Sequence, residues 1–211
     1  MKFLLGSEGQ TPGIIGMVTL GELKGQVMYG HIRQVLILCV GCVISSAGYA
    51  DERRAPSWLH EVKLGVLHHD TSSLWSGFRR ESGLDVNLEA IFSPQIKILR
   101  GAIRPAFGGS VNTAGDTSKL YAGLRWQYEH ISGIFFGVGL GGAVHNGDLH
   151  LQHNDMKALG SRVLFHIPIE AGYRFDGKSA LSAYFDHISN AYLADANEGM
   201  DTLGVRYGYR F

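Results

Sequence analysis

The chain has 211 residues, 45% of them apolar, enough for one domain of ordinary size with little room for a second, and this excludes a disordered polypeptide. Lys plus Arg and Asp plus Glu both number 19, so the formal charge is zero and no basic surface is offered to nucleic acid. Glycine at 29 against proline at 5, with aromatics at 10%, suits many close-packed strands better than a helical bundle.

The longest apolar run, residues 35–44 (VLILCVGCVI), is too short for a membrane-spanning helix, which needs about 20 residues. It fits the core of an export leader. His31 and Arg33 precede it, and Ser45, Ser46, Ala47, Gly48 and Ala50 follow, so a signal peptide over 28–50 with cleavage after Ala50 is expected. Residues 1–27 show no sustained period and are expected to be an N-terminal extension ahead of a start at Met28. Cys39 and Cys42 both fall in the leader, which leaves residues 51–211 as a single domain without a disulfide or a cysteine metal site.

From Val62 onward the sequence alternates with a period of two. Over 119–130, Leu120, Ala122, Leu124, Trp126 and Tyr128 share one face and Arg125, Gln127 and Glu129 the other. Over 161–175, Val163, Phe165, Ile167, Ile169, Ala171, Tyr173 and Phe175 oppose Arg162, His166, Glu170 and Arg174. Continued along the chain, this predicts eight strands near 61–69, 83–92, 96–108, 119–130, 134–145, 161–175, 179–189 and 201–211. Long connections alternate with short ones, and Asp176-Gly177 is a hairpin signal. Transmembrane barrels have this loop asymmetry and strands of about 9–11 residues.

The expected fold is therefore all-β, an eight-stranded antiparallel transmembrane β-barrel of the outer-membrane type. The apolar face would meet lipid, and Arg125, Glu129, Glu170, Arg174, Arg206 and Arg210 would pair inside a narrow lumen. The alternating aromatic end Tyr207-x-Tyr209-x-Phe211 is typical of such barrels. A secreted soluble barrel with the faces reversed, binding a hydrophobic ligand, is the alternative that composition leaves open.

If the first strand starts in the periplasm, the seventh ends at the exterior rim. There His187 and Ser189 stand two apart on one strand face, the apolar one, and Asp201 occupies the corresponding face of the next strand. Polar groups facing hydrocarbon without partners cost several kcal/mol each, by order of magnitude. A hydrogen-bonded Ser189–His187–Asp201 set removes that cost and has the composition of a nucleophile, a base and an orienting acid. The competing reading is that the strands end at a wet headgroup rim.

The stretch His187-Ile-Ser-Asn-Ala, followed by Asn197, Gly199 and Asp201 and a closing strand to Phe211, resembles the PagL-type lipid A 3-O-deacylases, outer-membrane barrel esterases. The resemblance implies Ser189 as nucleophile, His187 as base and Asp201 as orienting acid, with Asn197 and Asn190 stabilising the oxyanion. It also implies lipid A, or lipopolysaccharide, in the outer leaflet as substrate, a 3-hydroxyacyl chain as the group removed, and no cofactor. The family pattern carries Glu where this chain has Asp201, and the shorter acid must come closer to His187; Glu198 is the alternative acid.

Other polar groups fit a bland reading. His145, Asp148, His150, His153 and Asp155 lie along a long outer loop without a recognised metal-ligand spacing. His68, His69 and Asp70 stand at the exterior end of the first strand, either as a plain strand terminus or as contacts to a phosphorylated headgroup, and Arg79 and Arg80 carry charge suited to phosphate. Leu181, Ala183 and Phe185 either form an acyl-chain groove or simply face lipid. The functional alternative to the esterase is a non-enzymatic outer-membrane barrel serving adhesion or envelope structure.

Overall fold

A computed structural model of the chain describes residues 58–78 and 81–211. The expected leader, the 1–27 extension and the Arg79-Arg80 pair lie outside the described residues. The strands are β1 (Leu59–His68), β2 (Leu84–Phe92), β3 (Ile96–Ile98), β4 (Gly101–Asn112), β5 (Lys119–Glu129), β6 (Ile134–His145), β7 (Val163–Arg174), β8 (Ser179–Ser189) and β9 (Met200–Arg210). Each long strand is hydrogen-bonded antiparallel to its neighbours, and β1–β9 and β2–β4 pairing closes the sheet on itself. Eight strands thus form the barrel wall.

The one departure in strand count is the expected strand at 96–108. It is broken by a tight turn at Leu99 and Arg100, whose φ angles are 50° and 62°, so β3 folds back on the start of β4 as a small hairpin. The two residues with left-handed backbone, Leu99 and Arg100, are neither glycine nor asparagine, so the turn is not announced at the positions that make it, although Gly101 follows and Ile103 falls out of phase with Ile96 and Ile98. β4 in turn extends to Asn112, beyond the expected end.

Every barrel strand shows the same division of faces. Val66, Leu88, Phe107, Leu120, Leu124, Leu140, Val163, Leu181 and Val205 are exposed on the outer wall. An apolar surface that encircles a protein has no place in water. The soluble alternative, with its faces reversed, is thereby ruled out. Aromatic side chains collect at the short-turn end, where Tyr209 meets Phe211 at 5.3 Å between ring centroids and Trp58 stacks on Phe92 at 5.8 Å, as interfacial girdles do.

The lumen holds the charges, paired as the alternation required. Arg206 donates to Glu170 at 2.6 Å, Lys63 to the same carboxylate at 2.7 Å and Arg125 to Glu89 at 2.5 Å. Arg174 bridges Glu61 at 3.1 Å and Glu129 at 3.2 Å, and Arg210 reaches Glu129 at 2.6 Å. Lys119 pairs with Asp186. The guanidinium of Arg206 also lies 3.6 Å from the centre of the Tyr184 ring. Small residues make room for these long side chains: a Cβ on Gly65 would meet Arg206 Cγ at 2.6 Å. Around Arg206, Glu170 and Glu89 the lumen is filled and these charges are buried with their partners, while toward the short turns it widens into a cavity of about 920 Å³ lined by Glu61, Arg104, Glu129 and Arg210.

Candidate active site

The site lies where β8 and β9 reach the long-loop end, which faces the cell exterior in outer-membrane barrels. Antiparallel register sets His187 directly opposite Asp201. Period-two geometry puts Ser189 on the same face as His187, one residue removed. The resulting contacts are short. His187 Nδ1 is 2.6 Å from Asp201 Oδ1, and His187 Nε2 is 2.9 Å from Ser189 Oγ. An ionised carboxylate only accepts, so Nδ1 carries the proton, which leaves Nε2 to accept the hydrogen of the serine hydroxyl.

Asp201 is fully buried although it lies on the outward face, because the loop after β1 folds over it. The Ser76 backbone N–H donates to Asp201 Oδ2 at 2.7 Å, and the Thr71 N–H donates to the Asp201 carbonyl at 2.8 Å. Both carboxylate oxygens are therefore engaged. From the same loop, the Trp75 ring stands edge-on to His187 at 5.2 Å and to Phe185 at 5.4 Å. Sequence reasoning missed this loop entirely. Its only advance signal is Leu74-Trp75, an apolar pair within an otherwise small and polar connection.

The loop after β8 turns sharply at Ala191 and Tyr192, with φ of 54° and 63°, and Leu193 N–H closes it onto Asn190 C=O at 3.1 Å. Asn190 is buried beside Ser189, but its side-chain amide donates to Leu159 C=O at 3.0 Å and to Ala196 C=O at 2.5 Å. Its backbone N–H donates to Asn197 Oδ1 at 2.9 Å. Asn190 is thus a clamp across the loop, with its donors committed, and the side-chain carbonyl of Asn197 is pinned by it. Glu198 is turned away from the histidine: its carboxylate accepts from the Ala158 N–H at 2.7 Å. The carboxylate on the imidazole is Asp201. Gly199 sits at φ of 60°, and a Cβ there would come within 3.1 Å of His187 Cε1, so glycine lets the chain pass against the imidazole.

Beneath the outer loops a second polar cluster joins them. His69, fully buried, lies 2.9 Å from Glu81 and 2.8 Å from Asp85. Glu81 also accepts the backbone N–H groups of Thr117 at 2.9 Å and Lys157 at 3.0 Å, and the Lys157 ammonium pairs with Asp70 at 2.7 Å. Burial alone would lower the His69 pKa, but the hydrogen bonds and charges of Asp85 and Glu81 outweigh it and raise it to about 9. His69 and Asp70, read from sequence as a strand end, help tie three loops together. Of the loop residues weighed as metal ligands, His145 contacts Ser161 C=O at 2.7 Å and His153 pairs with Asp148 at 2.8 Å. No cluster able to hold a metal ion occurs among the described residues.

A closed antiparallel barrel with a lipid-facing exterior is an integral outer-membrane protein. A family model described as "PagL: Lipid A 3-O-deacylase (PagL)" matches residues 71–210. Among solved structures, that of "the outer membrane enzyme PagL" is similar at a TM-score of 0.55 and 22% identity, covering 72% of this chain and 99% of that one. "Neisserial surface protein A (NspA)" is similar at a TM-score of 0.46 and 13% identity, over 74% of this chain and 98% of its own. No curated relative matches the sequence. The chain belongs to the PagL family of lipid A 3-O-deacylases and is an ester hydrolase of the outer membrane. Family membership sets the non-enzymatic alternative aside.

Proposed function

We propose that this protein removes the acyl chain ester-linked at the 3-position of lipid A in the outer leaflet, by a serine mechanism in which Ser189 is the nucleophile, His187 the general base and Asp201 the orienting acid. The observation that carries the reading is the unbroken row Asp201–His187–Ser189, with contacts of 2.6 and 2.9 Å, on the lipid-facing wall. Ser189 Oγ attacks the ester carbonyl carbon while its proton passes to His187 Nε2. The tetrahedral intermediate collapses by breaking the bond to the sugar oxygen, which leaves with the proton from His187. Water then repeats the sequence on the acyl-enzyme, releasing the fatty acid and restoring Ser189.

Asp201 holds the imidazole in the Nδ1–H tautomer and stabilises the imidazolium formed at each step. The NH2 of Asn197 supplies the hydrogen bond to the oxyanion, and Asn190 acts through it by fixing the orientation of that amide. The scheme calls on no metal or organic cofactor. Expression of the wild-type chain in a host with 3-O-acylated lipid A should lower the lipid A mass by one hydroxyacyl group. The Ser189→Ala variant should leave the mass unchanged while still running as a heat-modifiable barrel. Deacylation by Ser189→Ala would overturn the assignment of the nucleophile.

A further inference from the structure

We propose that the chain of the scissile ester lies in a groove across the outer wall of β6 and β7, under the loop after β8, and that Gly142 sets how much of the chain the groove accepts. The proposal rests on the ester-hydrolase reading of Ser189 and adds a direction to it. The groove has a volume of about 480 Å³ and is lined by Gly142, Val163, Leu164 and Phe165 from the wall and by Leu193 and Ala194 from the loop. That volume falls within the range of small-molecule sites.

Register connects the groove to the nucleophile. Phe165 is the β7 partner of Ser189, and Gly142 is the β6 partner of Phe165. With strands spaced about 4.8 Å apart, Gly142 lies two strands, roughly 10 Å, from Ser189 on the same face. Asn190, the residue next to the nucleophile, also lines the groove. On the other side the path is obstructed. Trp75 stands against both His187 and Phe185 and so covers the end of the Phe185, Ala183 and Leu181 strip nearest the nucleophile. An acyl group attached at Ser189 therefore has its open, apolar route toward β7 and β6.

Gly142 is the informative residue in this surface. Its outward-facing neighbours along β6 are Phe136, Val138, Leu140 and Val144, and glycine is a poor strand former among them. Its φ is not in the left-handed region, and a Cβ built there would meet nothing nearer than the Leu164 carbonyl oxygen at 3.9 Å. Strand glycines facing the lumen, by contrast, abut other groups, as Gly65 abuts Arg206 at 2.6 Å. Neither conformation nor crowding demands glycine at 142. What glycine provides there is open space, continuous with the groove.

The test uses the full barrel in detergent micelles and a series of 3-hydroxyacyl nitrophenyl esters from butanoyl to tetradecanoyl. Gly142→Leu should lower the tetradecanoyl-to-butanoyl ratio of kcat/KM by about tenfold, the equivalent of about two buried methylenes. Gly142→Ala should give a smaller drop in the same direction, and Ala183→Leu should leave the ratio as in wild type. An unchanged ratio in active Gly142→Leu, or a shift produced by Ala183→Leu instead, overturns the groove. A tetradecanoate carrying a diazirine reads the same surface without catalysis: label should concentrate in residues 141–165 and 190–194 and fall in Gly142→Leu, whereas label spread evenly around the wall overturns the proposal. A wild-type barrel that takes this label yet cleaves none of the esters overturns the hydrolase reading and leaves the groove standing.

Discussion

The Ser76 backbone N–H donates to Asp201 Oδ2 at 2.7 Å, from a loop 125 residues away in the chain. This contact leaves Asp201 one oxygen for His187 and holds that oxygen at 2.6 Å from the ring, so the short acid reaches the imidazole without a longer side chain. Asp201→Asn should keep the shape of the site and lose its function. The amide NH2 would favour the wrong tautomer of His187, and kcat should fall by about 10⁴ with little change in KM, read from ester hydrolysis by the purified barrel.

In the proposed mechanism Ser189 and His187 act on the same proton, so their losses should not add. Ser189→Ala, His187→Ala and the double variant should all show the same residual hydrolysis, because removing one leaves the other without a partner. A double variant slower than both singles by the product of their effects would mean that the two residues act independently, contrary to a shared step.

In the lumen, Glu170 accepts from Lys63, Arg206 and Ser182 at 2.7, 2.6 and 2.5 Å. Glu170→Ala leaves two buried cations short of their partner. A loss of about 3–5 kcal/mol is expected for breaking a buried pair, measured as a lowered midpoint of urea or thermal unfolding in micelles. Activity per folded molecule should stay close to wild type, since the proposed site at Ser189, His187 and Asp201 lies on the opposite face of the wall.

The outer-loop cluster carries a pH signature. His69 has a folded pKa of about 9, raised from 6.5, so its contribution to holding the loops is fully present below 6.5 and is lost as pH rises through 9. Glu81 is shifted the other way: burial opposes ionisation, but the bonds from His69, Lys157 and Thr117 lower its pKa, so its contribution is lost on acidification. Amide exchange or limited proteolysis of residues 71–78 and 146–162 should quicken between pH 6.5 and above 9, after correction for intrinsic rates. His69→Gln should remove that alkaline dependence.

Much of this architecture was legible because a barrel wall has a strict period. Leu120 through Tyr128 and Val163 through Phe175 announced their faces, and the parity that put Arg125 and Glu170 in the lumen also put His187 and Ser189 outside. Adjacent strands with matched faces then brought Asp201 to His187. The β3–β4 hairpin was hidden because the turn at Leu99 and Arg100 uses left-handed backbone at residues that do not advertise it. The roles of Ser76, Trp75 and Lys157 were hidden for a different reason. They depend on where long loops fold, which follows from contacts distant in sequence, and no local pattern in residues 71–78 names β9 as their destination. For the same reason Asn190 read as an oxyanion donor, whereas its amide hydrogens are committed to Leu159 and Ala196.

The ion pairs that fill the lumen bear on the cell as a whole. Because Arg206, Glu170, Arg125 and Glu89 are buried and paired across the lumen, the described residues leave no open aqueous path there for small solutes or antibiotics. A bacterium can therefore raise the abundance of this enzyme, and remodel its surface, without weakening the permeability barrier in which the enzyme is embedded.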